Sequence, residues 1–325
     1  MNSPLVSILI PCYNHQDFLG DCLQSILDQD YPYLELLICD DCSPDNSYQV
    51  ISSYAEQLQN KLHSVQILRN TVNCGVTKNI NRMLTLAKGE YIKILASDDA
   101  MTPDAIRMLT AYLEENPQYG VAVCNGATVS EDQHYPHFTP VSPVYEQPPD
   151  FSSADMFCRI ARRNPIFAPG AMVRRSIYDA CGFYDEDIAI EDLEYWLRIL
   201  VEGQVAFGYL PQQLIYYRIN SNSMSSQSAN AHLQSRRERM HNASMAIFSK
   251  FQRHFPAGIY EEVCLLRILE EWGFALDQGL HSWASDLENQ WRSFPGHSRL
   301  KPKTYLYLHG RCLKMRLKHA FTNKK

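Results

Sequence analysis

Nothing in this sequence approaches the run of about 18 consecutive apolar residues that a membrane-spanning helix requires. The chain also passes from Met1 straight into a β-branched segment, with no basic stretch followed by an apolar one. The expectation is a cytoplasmic protein that neither spans a membrane nor is secreted. Phosphate-binding glycine loops are missing too: there is no GxxxxGKS or GxxxxGKT, and no GxGxxG follows a strand-like run, which argues against NTPase and dinucleotide-binding readings. Internal repeats and low-complexity tracts are absent. The 10 cysteines show no repeated paired spacing, and although Cys39 and Cys42 are close, the set reads as reduced thiols. His134 and His137 sit in a Pro-rich stretch without further ligands at zinc spacing, which leaves no zinc site there.

What is present is an ordinary globular composition, with 45% hydrophobic and 20% charged residues in 325. The net charge of −6 is unevenly spread. Residues 301–325 hold eight Lys and Arg and no acid, so the first 300 residues sit at −14. An acidic body excludes nucleic acid as a main partner. The basic tail, with Leu306, Leu308, Leu313, Met315 and Leu317 among its cations, suits an interfacial helix at the inner face of a membrane, or equally a solvated helix face.

Apolar β-branched runs alternate with helical spacing. Leu5–Pro11, Leu34–Cys39, Val65–Leu68, Glu90–Leu95 and Gly120–Cys124 read as strands; Asp17–Gln29, Asn46–Leu58, Thr77–Ala87 and Pro103–Glu115 read as helices. This order predicts an α/β fold with a mainly parallel sheet and helices on both faces. Periodicity fails between about Val129 and Ser153, where five prolines mark a crossing loop. Beyond it come helices near Ser153–Arg163, Arg175–Ala180 and Leu193–Val201 and a strand near Ala171–Arg174. From about Ala229 the pattern is helical, near His232–Phe255, Tyr260–Gln278 and Lys303–Ala320. The organisation expected is an α/β unit over 1–228 and a helical region over 229–325. Trp196, Trp272, Trp283 and Trp291 lie at apolar helical spacing and are expected in cores.

Ligands of open parallel sheets bind beyond the carboxyl ends of the strands. Asp40 and Asp41 follow the second strand and Asp98 and Asp99 the fourth, so if those strands are neighbours four carboxylates crowd one crest. Their mutual repulsion calls for a cation, and Mg²⁺ or Mn²⁺ completes a carboxylate site with substrate phosphates. The first pair also suits the simpler role of capping the next helix.

Five segments carry a resemblance. Val6–Asn14 (VSILIPCYN), Cys39–Ser47 (CDDCSPDNS), Asn73–Asn81 (NCGVTKNIN), Lys88–Asp99 (KGEYIKILASDD) and Glu191–Arg198 (EDLEYWLR) stand in the order and spacing of family 2 glycosyltransferases of the GT-A fold, so residues 5–225 resemble that family, in its bacterial surface-polysaccharide type. The resemblance implies transfer of a sugar, with inversion, from a nucleotide diphosphate donor, UDP-linked in first place, to a saccharide or lipid-linked acceptor hydroxyl. It implies that Pro11 and Tyr13 line the base with Asn14 beside them, that Asp41 hydrogen-bonds it with Asp40 in support, and that Lys78 and Ser97 adjoin the donor phosphates. Asp98 contacts the donor and, with Asp99, holds Mn²⁺ or Mg²⁺. Asp192 is the general base, with Glu191 as second choice. Gly170 and Arg198 lie on the acceptor side, where Gly170 allows close approach of a ligand and Arg198 contacts a phosphate or pairs with an acid. Two departures stand out: Ala96 occupies the position of the family's first metal-region acid, and Asn220 stands where many relatives have His. Glu191 and Asp192 also suit a helix start, whose dipole lowers a carboxylate pKa. Competing functions are a sugar-nucleotide pyrophosphorylase, which wants a Gly-rich basic loop that Pro11–His15 does not supply, and a non-catalytic nucleotide- or sugar-binding module, which would not need the acid pairs.

Overall fold

The structure is a computed structural model that describes residues 3–151, 155–219 and 233–295. Its backbone contacts divide into two compact units. One comprises 1–156, 165–186 and 198–226; the other comprises 157–164, 187–197 and 227–325. The helical unit thus recruits two short segments from the sequence that precedes residue 229.

In the first unit β1 (Val6–Cys12), β2 (Leu34–Asp40), β3 (Ser64–Arg69) and β4 (Tyr91–Ile94) pair in parallel, in the order β3-β2-β1-β4. Apolar runs form the central β1 and β2 because layers on both faces bury them: Ile8, Leu9, Ile10, Leu36, Leu37 and Ile38 are all fully enclosed. Each such side chain contributes about 1.5–3 kcal/mol of transfer free energy. Helices α1 (Leu19–Leu27), α2 (Ser47–Lys61), α3 (Val76–Leu86) and α4 (Ala105–Glu115) alternate with the strands. In α1, Leu19, Cys22, Leu23, Ile26 and Leu27 recur at helical spacing and are buried.

Beyond β4 the sheet becomes mixed. A two-residue strand, β5 (Ala100–Met101), lies at its far edge. Strand β6 (Tyr119–Ser130) runs on well past Cys124 into the expected loop, where Ala127 and Thr128 pair with β7 (Ser142–Pro143). Helix α5 (Met156–Arg162) belongs to the second unit apart from its first residue. A 3-10 turn (Ala168–Gly170) leads into β8 (Ala171–Arg174), antiparallel to both β4 and β6, and then α6 (Arg175–Cys181). After α7 (Glu191–Val201), the 14-residue β9 (Ala206–Ile219) pairs in parallel with β6, with three register irregularities, and antiparallel with β5. This strand was not anticipated from the sequence.

The second unit is built on α8 (Leu233–Lys250), α9 (Ile259–Asp277) and α10 (His281–Ser293). The sequence reading had not separated α10. Trp272, Trp283 and Trp291 are buried there, with the Trp272 and Trp291 rings 6.1 Å apart. Within this unit the buried Glu271 receives both Nε and Nη2 of Arg237, at 2.8 and 3.0 Å. Among the described residues no helix is long and apolar enough to cross a membrane, and no disulfide links any cysteine. The expected helix at Lys303–Ala320 and Asn220 lie outside the described residues.

Candidate donor-binding site

The order β3-β2-β1-β4 puts a topological switch beside β1, because the chain moves to one side for β2 and β3 and to the other for β4. Loops leaving β1, β2 and β4 therefore diverge around a crevice at one end of the sheet. Pro11 and Cys12 close β1 opposite Cys39 and Asp40 of β2. Tyr13 then presents a 46% exposed ring. Asn14 takes a left-handed φ of 57° and its N–H donates to Ser43 Oγ at 3.0 Å. The β1 and β2 exits are tied together further where the N–H groups of Asp41 and His15 donate to Cys12 O and Ser47 Oγ, at 2.8 and 3.0 Å.

The two acids of the first pair differ in surroundings. Asp40 is sealed beneath the crest: Oδ2 accepts the Ser43 N–H at 3.3 Å and lies 3.4 Å from Arg69 Nε, whereas Oδ1 is buried without a hydrogen-bond partner. Asp41 organises the segment between β3 and α3. Its Oδ1 accepts Cys74 N–H at 2.8 Å and Asn70 Nδ2 at 2.9 Å, and its Oδ2 accepts Gly75 N–H at 2.8 Å. Burial pushes the Asp41 carboxyl up, but these donors prevail and hold it below the ordinary range. Cys74, Asn70 and Gly75 thus converge on a carboxylate that is itself 2% exposed. Gly75 makes this cradle with φ at 87°, a conformation suited to glycine. Neither Asp40 nor Asp41 caps α2. The N-cap of α2 is Asn46, with no side-chain cap bond; just before it, the two oxygens of Asp45 accept Ser47 N–H at 3.0 Å and Gln16 N–H at 2.9 Å. Lys78 is exposed on the first turn of α3.

Around the second pair, Ser97 Oγ bonds His15 Nδ1 at 2.8 Å, and the same nitrogen lies 3.9 Å from Asp98 Oδ1. The Asp98 side chain is 12% exposed, whereas Asp99 is closed off at 1%. Asp99 Oδ1 accepts the Arg218 N–H at 3.0 Å, and its Oδ2 is buried without a partner. Burial first and the Asp98 charge second push the Asp99 carboxyl well above the usual carboxylate range. Of the two adjacent acids only Asp98 keeps a partly exposed side chain, so it is the one that could hold a divalent cation, with Asp99 packed behind it. No cluster of three or more His, Cys, Asp or Glu suited to a metal occurs among the described residues, so donor phosphates and water would complete the shell.

On the acceptor side the structure shows what surrounds two of the expected residues. A Cβ at Gly170 would lie 2.6 Å from Cys124 O and 2.7 Å from the Phe167 ring. Glycine is required by the protein's own packing. Gly170→Ala is expected to lower stability by about 1–3 kcal/mol through overpacking, read as a lower melting temperature. Arg198 is buried and donates to the carbonyls of Cys181 and Phe183, the latter at 2.6 Å, so its guanidinium secures the turn after α6. Lys93, which the sequence reading passed over, is fully buried on β4 and donates to Pro169 O and, at 3.2 Å, to Ala171 O, on either side of Gly170. Burial pushes its ammonium down to about 8. A charged residue in the middle of a doubly covered strand was the available signal, since it must find partners.

Glu191 and Asp192 open α7 within the helical unit. Asp192 Oδ1 accepts the Leu193 N–H at 2.7 Å and Oδ2 accepts Asn164 Nδ2 at 3.3 Å. Burial, followed by the Asp192 charge, pushes Glu191 up to about 7, and burial likewise raises Asp192. The helix start was expected to lower these values; loss of hydration outweighs the dipole. Trp196 is buried one turn on, as expected of a core residue.

Comparison with known proteins agrees with this arrangement. The chain is 27% identical over 229 residues to the putative teichuronic acid biosynthesis glycosyltransferase TuaG of Bacillus subtilis strain 168, spanning 69% of this chain and 82% of that protein. It is 28% identical over 207 residues to the putative colanic acid biosynthesis glycosyl transferase WcaA of Escherichia coli K12, spanning 62% and 68%. Among solved structures, S. aureus TarS 1-349 in complex with UDP-GlcNAc superposes with a TM-score of 0.64 at 16% identity, over 99% of this chain and 92% of that one. The mannosyltransferase PcManGT from Pyrobaculum calidifontis, in complex with GDP-Man and Mn²⁺, gives a TM-score of 0.57 at 16% identity, over 99% and 88%. These likenesses bear on fold, and the fold is the GT-A arrangement the sequence resembled. A family model described as glycosyl transferase family 2 matches residues 7–182, more than half of the chain, so the chain belongs to glycosyltransferase family 2.

Proposed function

We propose that this chain transfers a hexosyl group, with inversion, from a nucleotide diphosphate sugar to an acceptor hydroxyl during synthesis of a surface polysaccharide or lipopolysaccharide. The single observation that carries the reading is the convergence at the ends of β1, β2 and β4 of an exposed Tyr13 ring, the Asp41 carboxylate held by the Cys74 and Gly75 N–H groups, and the partly exposed side chain of Asp98. An aromatic platform and a carboxylate acceptor match the face and the N–H edge of a base, and uracil offers such an edge. The names of the relatives and the UDP-GlcNAc and GDP-Man bound to the structural neighbours support donor and pathway class. We assign residues 1–228 to the transferase domain and the remainder to a helical region whose basic tail would meet a membrane carrying the acceptor.

In the reaction the acceptor oxygen bonds to the anomeric carbon as the bond from that carbon to the diphosphate oxygen breaks. Asp192 takes the acceptor proton, and attack opposite the leaving group inverts the centre. Asp98 would hold Mn²⁺ or Mg²⁺, which when bound supplies charge neutralisation to the departing diphosphate. Asp41 fixes the base, and Ser97 with His15 fixes the wall beside Asp98. Assay of UDP-, GDP- and dTDP-sugars with Mn²⁺ or Mg²⁺ tests the proposal. Metal-dependent turnover of one donor is the expected result; no binding or turnover of any donor would overturn it in favour of a non-catalytic module.

A further inference from the structure

Arg218 is the most completely enclosed arginine of the first unit, with a side chain at 0% exposure, yet each of its guanidinium nitrogens is partnered. Nη2 donates to Asp21 Oδ2 at 2.8 Å, Nη1 to the carbonyls of Glu131 and Gln133 at 3.2 and 2.5 Å, and Nε to the carbonyl of Asp98 at 3.0 Å. The rings of Phe18 and Phe138 lie 4.8 and 5.2 Å from its Cζ. Its own main-chain N–H goes to Asp99 Oδ1 at 3.0 Å. One residue thus grips two consecutive members of the acidic turn, by the backbone of the first and the side chain of the second.

A buried ion pair with Asp21 would by itself be weak evidence for anything beyond packing. The distribution of the other bonds is what discriminates. Holding the Asp98 carbonyl fixes the orientation of that peptide, and with it the direction in which the Asp98 side chain leaves the turn. Holding Asp99 Oδ1 keeps the second carboxylate turned away towards β9. Partners that orient a ligand residue typically change metal affinity by about 10–100-fold when removed.

We propose that Arg218 is a positioning residue for Asp98, setting the affinity of the donor site for a divalent cation and the diphosphate it accompanies; this rests on the proposed role of Asp98. The test is calorimetric measurement of Mn²⁺ binding in the presence of UDP, for the whole chain and for Arg218→Lys and Phe138→Leu, beside thermal melts and UDP binding without metal. Arg218→Lys is expected to weaken Mn²⁺ about 10–100-fold while metal-free UDP binding stays within twofold, a split that general loss of packing would not produce. Phe138→Leu, which loosens the aromatic cover without changing charge, is expected to weaken Mn²⁺ at least threefold, and it decides the matter if the lysine variant does not melt cooperatively. Mn²⁺ affinities within twofold of the unaltered chain in the folded variants would overturn this inference alone. Absence of Mn²⁺–UDP binding by the unaltered chain would overturn the parent reading and this one together.

Discussion

Asp98→Asn is expected to reduce sugar transfer by about 10²–10³-fold, the scale on which removal of one electrostatic stabiliser of a leaving group is felt. The side chain keeps its size and hydrogen-bonding reach, so the loss isolates charge. Asp99→Asn should behave differently. Burial first and Asp98 second push its carboxyl well above the usual range, it is closed off from the surface, and an asparagine oxygen can still accept the Arg218 N–H. A loss below about tenfold is expected there, short of the stabiliser scale. Side-by-side kinetics with a saturating donor, together with the melting shift induced by UDP and Mn²⁺, check the pair. Equal damage from both variants would mean that both carboxylates are ionised in the working enzyme.

Asp192→Asn is expected to lower turnover by about 10²–10⁴-fold, the range of general base catalysis, with donor binding unchanged. The pH dependence follows from the raised carboxyls. Glu191 is shifted up to about 7 by burial first and by Asp192 second, so the pair retains a proton below neutrality and turnover should fall on the acid side of about pH 7. In Glu191→Gln the acid limb should move to lower pH, towards that of Asp192 alone. Stability runs in the opposite sense. A carboxyl whose folded pKa is raised adds its full share below its unfolded pKa and loses it as pH rises through the folded value. Glu191→Gln should therefore raise the melting temperature above pH 7 and leave it unchanged near pH 4. A flat rate profile between pH 5 and 8 would remove both carboxyls from the base role.

The parallel half of the sheet was legible because strands enclosed on both faces must be apolar throughout, as Ile8–Ile10 and Leu36–Ile38 are. The acid pairs were legible because they directly follow those runs. Strand β9 was not, since Pro211, Gln212 and Gln213 interrupt it at its irregularities with β6. Helix α10 escaped because Trp283, Leu287 and Trp291 form a single narrow stripe in a polar segment. Lys93 and Arg218 escaped for another reason: most of their partners are carbonyl oxygens, which carry no signature in the side-chain pattern. The packing around Gly170 and the carbonyl partners of Arg198 were illegible in the same way, because they come from other parts of the chain.

The pairing of β6 with β9 joins residues 119–130 to 206–219, and contacts so distant along the chain form late, after the entropy of closing the long loop has been met. The strands β1 to β4 are all in hand by residue 94, well before that closure. During synthesis from the N-terminus, the half of the crevice built on β1 to β4 can therefore assemble while β6 still presents an unpaired edge, the kind of surface on which nascent chains associate. Only when β9 docks does Arg218 reach the turn at Asp98. A chain truncated before residue 206 would keep β1 to β4 and lack the residue that holds the turn at Asp98 and Asp99.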